Sequence, residues 1–399
     1  LNRMSADLDF VNINFRGHGR QVMGGGMIVG GDPRTGKTHF TMLNAAEEAA
    51  AGACVVMFDA THGQHWRRFA QAVPNSAAIN LAEGRATADP LILIGGVRGA
   101  ELLVDELCRI ASITDASTVA ELRLLVTDHA WPSTANLLDY LTSTSCPPAL
   151  AGIGRQLLGW ASTPTGQALF GRKDASGSRV PLPTLAVDDV SLLVVETQDL
   201  DLPTEEEVRA AASGGTALTP RQMIGQSVMA LFALYLRKVF YSRKSFDILG
   251  FDEGWRTVSM KILKDLVFEI FRTGPAANVD VWMISQKPWR DFPGLDDDLA
   301  RVRAVFTVKD PREAAEAAQW CGVDPQAYPE LVEALSTGLS PRSRVRDAFH
   351  RARDTEVVPR DRMGECLLRI GEDDLGWVKT FEMVFSEWEQ AADTRPAML

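Results

Sequence analysis

Gly31-Asp32-Pro33-Arg34-Thr35-Gly36-Lys37-Thr38 is the stretch that decides how the chain is interpreted. It follows the apolar run 27–30 and opens into the helical pattern 40–49. Strand, glycine-rich loop, Lys-Thr and helix is the order that a phosphate-binding P-loop requires. The glycines let backbone N–H groups surround a phosphate, Lys37 reaches the β- and γ-phosphates, and the Thr38 hydroxyl binds Mg²⁺. The sequence therefore predicts a nucleoside triphosphate site.

Asp252-Glu253 is the second chemical landmark. The pair ends the apolar run 246–251, which has the pattern of a strand. In-line phosphoryl transfer depends mainly on positioning and charge neutralisation, so the site needs an acid that holds Mg²⁺ and another that polarises the attacking water. We therefore assign metal binding to Thr38 and Asp252 and the catalytic base to Glu253. The structural alternative is a strand-end carboxylate pair that faces solvent.

Two further polar residues end predicted strands. Gln286 ends the run 279–286, where it would orient water beside the γ-phosphate or satisfy local backbone groups. Asp59 ends the unbroken apolar run 54–59, which predicts a parallel strand buried on both faces. Its role is open between structure and ligand binding. Catalysis is assigned to Lys37, Glu253 and Gln286, and nucleotide binding to Gly31, Asp32, Pro33, Arg34, Thr35, Gly36, Lys37, Thr38 and His39.

The order of predicted elements indicates an α/β fold, a RecA-like P-loop NTPase sheet with an all-helical insertion subdomain. Helical spacing replaces the strand patterns from about residue 100 to 172, and a polar connector follows to residue 183. We expect a core of residues 1–99 and 184–399, interrupted by the insertion at 100–183. Other predictions are a first strand at 9–15, a loop at 202–217, helices at 219–240 and 258–271, and a closing hairpin at 364–381.

The composition bounds the function. The chain has 399 residues, of which 46% are hydrophobic and 23% charged, as in a large globular protein. Five scattered cysteines without a CxxC pair predict a reducing compartment and no zinc site. A net charge of −11 without a basic tail leaves DNA binding possible but does not favour it. The apolar stretch 228–236 is too short to span a bilayer, so no integral membrane segment is expected.

A series of motifs in order resembles a known family. The chain resembles the carboxy-terminal ATPase domain of the VirB/TraC-like ATPases of type IV secretion and conjugation, within the FtsK/HerA branch of RecA-like motors. The resemblance is carried by the P-loop with Gly24-Gly25-Gly26 before it, Phe251-Asp252-Glu253-Gly254-Trp255, Arg272-Thr273-Gly274 with Asn278-Val279, Ile284-Ser285-Gln286, and Gly166-Gln167-Ala168-Leu169-Phe170.

The resemblance implies a Mg²⁺-dependent ATPase that works as a homo-hexamer in the bacterial cytoplasm, peripheral at the inner membrane. Its partners would be membrane-embedded components of a secretion channel. The family has a further amino-terminal domain, and this chain starts at Leu1, so we expect a separated motor domain. One departure concerns Pro275-Ala276, which stands where the family commonly has Arg-Lys, so a basic residue often credited with sensing the phosphate is missing or relocated.

Three functions remain open at this point. The first is an ATPase that powers pilus assembly or substrate transfer, and the second is a DNA-translocating motor of the HerA/FtsK or coupling-protein kind. The third is a nucleotide-binding scaffold without catalysis, which the missing Arg-Lys pair keeps open. An oligomeric ATPase often completes its site with a neighbour's arginine. The candidates are Arg272, Arg290, Arg301, Arg303 and Arg369.

Overall fold

The structure is a computed structural model that describes residues 26–187, 190–243, 245–254, 260–292, 294, 300–340, 343–346, 352–357, 362, 364–371, 374–380 and 382–393. The first strand predicted at 9–15, Gly24-Gly25 and Trp255 lie outside these residues.

The described strands form one large sheet and two small hairpins. Their bounds are β1 Met27–Gly30, β2 Cys54–Asp59, β3 Ser76–Asn80, β4 Arg172–Lys173, β5 Arg179–Val180, β6 Leu192–Glu196, β7 Asp247–Phe251, β8 Val279–Ile284, β9 Val302–Val305, β10 Ser343–Arg346, β11 Ala352–Val357, β12 Glu365–Ile370 and β13 Asp374–Lys379. The large sheet has the order β13-β12-β9-β1-β8-β7-β2-β6-β3, and the small ones pair β10 with β11 and β4 with β5.

The described helices lie between and after the strands in the chain. They are α1 Lys37–Ala50, α2 His65–Ala72, α3 Pro90–Leu93, α4 Gly96–Ile110, α5 Ala116–Asp128, α6 Thr134–Leu141, α7 Pro148–Trp160, α8 Pro164–Phe170, α9 Glu205–Ala212, α10 Pro220–Ser242, α11 Lys261–Ala277, α12 Pro288–Asp291, α13 Pro311–Trp320, α14 Pro329–Glu333 and α15 Ser386–Ala392.

All neighbours from β9 to β3 in the large sheet run parallel, whereas β12 and β13 add an antiparallel hairpin at one edge. This confirms the predicted α/β class and the closing hairpin. Parallel strands are covered by helices on both faces because each crossover carries a helix across the sheet. The strand β8 lies between β1 and β7, so the strand that precedes Gln286 separates the P-loop strand from the Asp252 strand.

Alternate residues of the central strands pack into two apolar layers. Val56 and Phe58 of β2 lie in a layer with the helices of the segment 90–170 and with α10 and α11. Val55 and Met57 lie in the opposite layer, with α1 and α2. The helices at 90–170 therefore share a continuous core with the sheet, and the division into a core and an insertion at 100–183 stays a prediction.

Some predicted boundaries were wrong. The stretch 202–217, predicted as a loop, contains α9, because Thr204 and Glu207 form a reciprocal capping box. Helices begin at Pro90 rather than near residue 100, where Asp89 accepts a hydrogen bond from the Leu91 amide. The helix predicted at 258–271 runs from Lys261 to Ala277 and contains Pro275 in its last turn.

Among the described helices, α10 alone is long and apolar enough to cross a membrane. It begins where the sequence predicts a helix, and Thr219 is its N-cap with Pro220 in the first turn. In its most apolar window, 67% of the residues are buried inside the protein. A core helix that packs against the sheet has the same hydropathy.

The aromatic contact between α10 and β2 tests whether this core is continuous. Phe232 is fully buried, and its ring centroid lies 6.4 Å from that of Phe58. Phe232→Ala is expected to lower the free energy of unfolding by about 3–5 kcal/mol, because it leaves a cavity at the contact. Chemical denaturation followed by circular dichroism should show one transition shifted as a whole.

The control is Leu124→Ala on α5, whose side chain is 59% exposed. This change should alter the free energy of unfolding by less than about 0.5 kcal/mol. Two separate transitions in the wild type, with only one shifted by Phe232→Ala, would contradict a continuous core.

Candidate nucleotide-binding site

The parallel strands bring the predicted site residues to one edge of the sheet. The P-loop follows β1, Asp252-Glu253 follows β7, Gln286 follows β8, and Asp59 ends β2. Because these strands run in the same direction, all of these residues lie at the carboxyl edge. Ligands of open parallel sheets bind at this edge.

The P-loop has a backbone conformation that its glycines permit. Gly31 and Gly36 have φ angles of +134° and +113°, in the region that other residues rarely adopt. A Cβ on Gly31 would lie 2.8 Å from the Cβ of Phe306, and one on Gly36 would lie 3.2 Å from the Cα of Gly364. Both glycines are therefore required by the loop's curvature and by its close contact with neighbouring segments.

Hydrogen bonds from neighbouring strand ends hold the P-loop in place. The Gly31 amide donates to the Gln286 carbonyl at 3.1 Å, and the Asp32 amide donates to the Thr307 carbonyl at 2.9 Å. The Lys309 amide donates to Asp32 Oδ2 at 3.0 Å. The loop is thus braced by the segments that follow β8 and β9 as well as by its own turn.

Lys37 lies among backbone carbonyls and acids. Its Nζ donates to the carbonyls of Gly31 at 2.7 Å and Asp32 at 2.8 Å. Desolvation lowers the pKa of Lys37 to about 8, although the charges of Asp252, Glu253 and Asp32 act in the opposite direction. The two acids after β7 therefore lie within electrostatic reach of the P-loop lysine.

Asp252 is buried at the end of β7. Its amide donates to the Phe58 carbonyl at 2.9 Å, and its Oδ2 accepts a hydrogen bond of 2.9 Å from the Trp66 indole Nε1. Desolvation raises the pKa of Asp252 to about 7, and the neighbouring acids Asp59 and Glu253 raise it further, whereas the Trp66 hydrogen bond and Lys37 lower it. The buried carboxylate therefore favours a cation as a neighbour.

Glu253 occupies a strained turn. Its φ angle is +56°, which costs a residue with a Cβ on the order of 1 kcal/mol. The Glu253 amide donates to Asp252 Oδ1 at 3.1 Å, and the next amide, of Gly254, donates to the Ile284 carbonyl at 2.7 Å. The turn after β7 is thereby anchored to β8, and left-handed residues of this kind concentrate at functional sites.

The remaining predicted residues have different surroundings. Gln286 is exposed at the carboxyl edge, and its carbonyl holds the P-loop. Pro33 and Arg34 are exposed at the loop tip, and Thr38 is half-buried in the first turn of α1. His39 lies in the same turn, but its Nε2 contacts Glu389 Oε2 of α15 at 2.9 Å. His39 therefore links α1 to the carboxy-terminal helix in this structure.

The candidate arginines separate into two groups. Arg303 is buried and Arg369 half-buried, and they donate to the carbonyls of Trp320 and Cys321. Arg290 is exposed and binds Glu313 and Glu316. Arg272 and Arg301 are also exposed. Arg272 lies in the last part of α11 and Arg301 directly precedes β9, so both lie toward the amino edge of the sheet.

The Pro275-Ala276 departure lies at the same amino edge, because α11 ends there and β8 begins at Val279. A strand of six residues spans about 20 Å. The positions of the missing Arg-Lys pair are therefore remote from the P-loop of their own chain.

The residues present suit a nucleotide with a divalent cation. The helix α1 begins directly after Gly36, so the positive end of its dipole faces the loop. No side chain of the described residues caps this end of the helix, so its amides are available to a phosphate. Lys37 adds a positive charge, and Asp252 and Glu253 offer the oxygen ligands that Mg²⁺ prefers. No cluster of three or more His, Cys, Asp or Glu side chains arranged for a metal occurs within the described residues, so a cation here would also need phosphate oxygens or water.

Sequence reasoning missed the residues that support this site. Trp66 of α2 contacts Asp252 across 186 positions of sequence, and Phe306 packs beneath the P-loop against Phe40 with ring centroids 5.8 Å apart. A tryptophan in an amphipathic helix predicts only burial. The run 304–308, which includes Phe306, has the apolar pattern of a strand, but its contact with the loop depends on the order of β9 and β1 in the sheet.

These features define a P-loop domain of the α/β class, and the chain belongs to the AAA-like domain family, which it matches over residues 12–392. It is similar in structure to VirB4 of Thermoanaerobacter pseudethanolicus, with a TM-score of 0.60, 12% sequence identity, and coverage of 91% of each chain. At this identity the similarity shows the fold. The family resemblance inferred from the motifs is thus confirmed at the level of family and fold. No curated protein matches the chain.

The buried charge of Asp252 gives a prediction about pH. In EDTA and without nucleotide, Asp252→Asn is expected to raise the free energy of unfolding by about 2–4 kcal/mol at pH 8. The native pKa of about 7 lies above the unfolded value, so ionisation of Asp252 opposes folding more as the pH rises to 7. The gain should shrink below pH 7 and vanish below about pH 3, where both states are protonated.

Denaturant titrations at several pH values measure this gain. Asp105→Asn on α4, where the side chain is 71% exposed, is the control and should show no such dependence. A gain for Asp252→Asn that stays constant from pH 4 to pH 8 would contradict the assigned burial cost.

Proposed function

We propose that this chain is a Mg²⁺-dependent ATPase that powers type IV secretion or conjugative transfer as an oligomeric motor. The observation that carries the proposal is the meeting of Lys37, Asp252 and Glu253 at the carboxyl edge of the sheet, within electrostatic reach of one another. Membership of the AAA-like family and the VirB4 fold support ATP as the nucleotide. A P-loop alone is shared by proteins of many functions.

Each residue has a distinct role in this proposal. The P-loop amides and Lys37 hold the phosphates, for which Lys37 leaves the Gly31 and Asp32 carbonyls that it binds without nucleotide. Thr38 and Asp252 hold Mg²⁺, which when bound neutralises charge on the phosphate oxygens. Residues 31–39 form the nucleotide cradle, in which His39 contributes through its place in the first turn of α1.

Glu253 is proposed as the base that polarises the attacking water, with Gln286 orienting that water. The left-handed turn presents Glu253 beside Asp252, and the Gly254 amide fixes the turn to β8. Gln286 follows β8, between the P-loop strand and the Glu253 strand, so its exposed side chain lies on the same edge as both.

A neighbouring subunit would complete the site. In a homo-hexamer, Arg272 or Arg301 is the better candidate for a trans arginine, because both are exposed and lie away from their own P-loop. Arg303 and Arg369 bind carbonyls of their own chain, and Arg290 is held by two glutamates. We further propose a position in the bacterial cytoplasm, peripheral at the inner membrane beside secretion-channel components.

Glu253→Gln tests the chemistry. The variant should lose at least about 10²-fold in ATP turnover, because the base is removed, while it still binds ATP. Phosphate release measures turnover, and a fluorescent ATP analogue measures binding. Glu101→Gln, on the exposed side of α4, should behave as the wild type. Wild-type turnover in Glu253→Gln would refute the assigned base, and no turnover in the wild type at any concentration would favour a scaffold.

The oligomeric state tests the motor. Light scattering should show a hexamer that forms or strengthens with ATP, and turnover per chain should rise with concentration. Arg272→Ala and Arg301→Ala can then be compared, and mixing each with Glu253→Gln should restore turnover if the arginine acts in trans. A monomer with constant turnover per chain would contradict the proposal.

Filter binding of double-stranded DNA over a salt series separates secretion from DNA translocation. The net charge of −11 predicts weak binding to DNA. Tight binding that falls steeply with salt would favour the DNA motor instead.

A further inference from the structure

Asp59 is a buried acid for which the proposed reaction has no role. Its side chain is fully buried at the end of β2. Oδ1 accepts hydrogen bonds from the Thr61 amide at 2.8 Å and from the Thr61 hydroxyl at 2.6 Å. Oδ2 is buried and has no hydrogen-bond partner within the described residues. A buried oxygen of this kind is costly unless something binds it.

Asp59 and Asp252 lie side by side at the sheet edge. Phe58 pairs with Phe251 in register, so the next residues, Asp59 and Asp252, extend from neighbouring strand ends. Trp66 lies beside both acids: its indole donates to Asp252 Oδ2 at 2.9 Å. Burial raises the pKa of Asp59, and the hydrogen bonds of Thr61 and of the Trp66 amide partly offset that rise. The charge of Asp59 raises the pKa of Asp252, which places the two carboxylates within electrostatic reach.

Glu196, the neighbour of Asp59 on the other side, has different surroundings. It is the register partner of Asp59 on β6 and is also fully buried. Arg67 binds both carboxylate oxygens of Glu196 and neutralises its charge. Asp59 has two donors from Thr61 on one oxygen, and its other oxygen has no hydrogen-bond partner within the described part of the chain. Asp59 and Glu196 therefore lie at the same edge and are both buried, but among the described residues an arginine balances the charge of Glu196 alone.

We propose that Asp59 belongs to the cation site, where its Oδ2 accepts a hydrogen bond from a water of the hydrated divalent cation held by Asp252. This inference rests on the proposed function, since it assumes that the cation binds at Asp252. Mg²⁺ keeps several of its waters in proteins and is bound through few carboxylates, so outer acids that hold those waters contribute to its affinity. Such supporting partners typically contribute about 10- to 100-fold.

The test measures how strongly Mg²⁺ tightens nucleotide binding. The dissociation constant of a fluorescent ATP analogue is determined in EDTA and at a series of free Mg²⁺ concentrations. Asp59→Asn keeps the shape of the side chain and one oxygen that can accept from Thr61. It removes the negative charge and places an amide nitrogen where Oδ2 was. It should reduce the tightening by about 10-fold and leave the affinity in EDTA unchanged.

Glu196→Gln is the matched control, because it removes a buried carboxylate from the same edge without touching Oδ2 of Asp59. It should leave the tightening unchanged. Thermal unfolding in EDTA is the second readout: Asp59→Asn should melt no lower than the wild type, since a neutral amide replaces a buried carboxylate that has no counter-charge bound to it within the described residues. Thr61→Val, which removes the hydroxyl that orients Asp59, should give a smaller loss of tightening and replaces Asp59→Asn if that variant does not fold.

The outcomes separate the two claims. Full tightening by Mg²⁺ in Asp59→Asn would overturn the role of Asp59, as would an equal loss in Glu196→Gln. Asp59 would also be purely structural, and its role in the cation site overturned, if Asp59→Asn melts lower in EDTA with its Mg²⁺ response intact. If Mg²⁺ does not tighten nucleotide binding in the wild type, the proposed function fails instead.

Discussion

The site depends on the parallel direction of four adjacent strands. Because β1, β8, β7 and β2 all end at the same edge, the P-loop, Gln286, Asp252 and Asp59 meet although they are far apart in the sequence. Each of these strands is buried on both faces, so a one-residue slip in register would move its side chains into the opposite apolar layer and disrupt the packing of both layers. The two apolar layers therefore determine the position of every charged group at the edge.

The same burial gives the edge its chemistry. Lys37 and Asp252 have pKa values displaced toward each other, to about 8 and about 7, because both lose hydration. Glu253 lies in a left-handed turn, and one oxygen of Asp59 has no hydrogen-bond partner among the described residues, so the site concentrates unfavourable contributions to stability in one place. A phosphate with its cation would satisfy these groups together, which is why we interpret the unfavourable contributions as a requirement of ligand binding.

The sequence was sufficient for features that depend on local chemistry. The P-loop, the Thr219 cap, the strands before Asp59 and Asp252, and the closing hairpin are encoded by neighbouring residues. The helix α9 was missed although its capping box is local, because the surrounding residues are polar and lack an apolar stripe. The contacts of Trp66 with Asp252 and of Glu389 with His39 could not be predicted from the sequence, since each joins segments that only the tertiary fold brings together.

The most direct test of the proposed site is an experimental structure of the wild-type chain with a non-hydrolysable ATP analogue and Mg²⁺. We predict the triphosphate within the P-loop, Lys37 moved from the Gly31 and Asp32 carbonyls to the phosphates, and the cation between Thr38 and Asp252. A nucleotide bound elsewhere, or a filled P-loop with Lys37 still on its own carbonyls and no cation at Asp252, would contradict it.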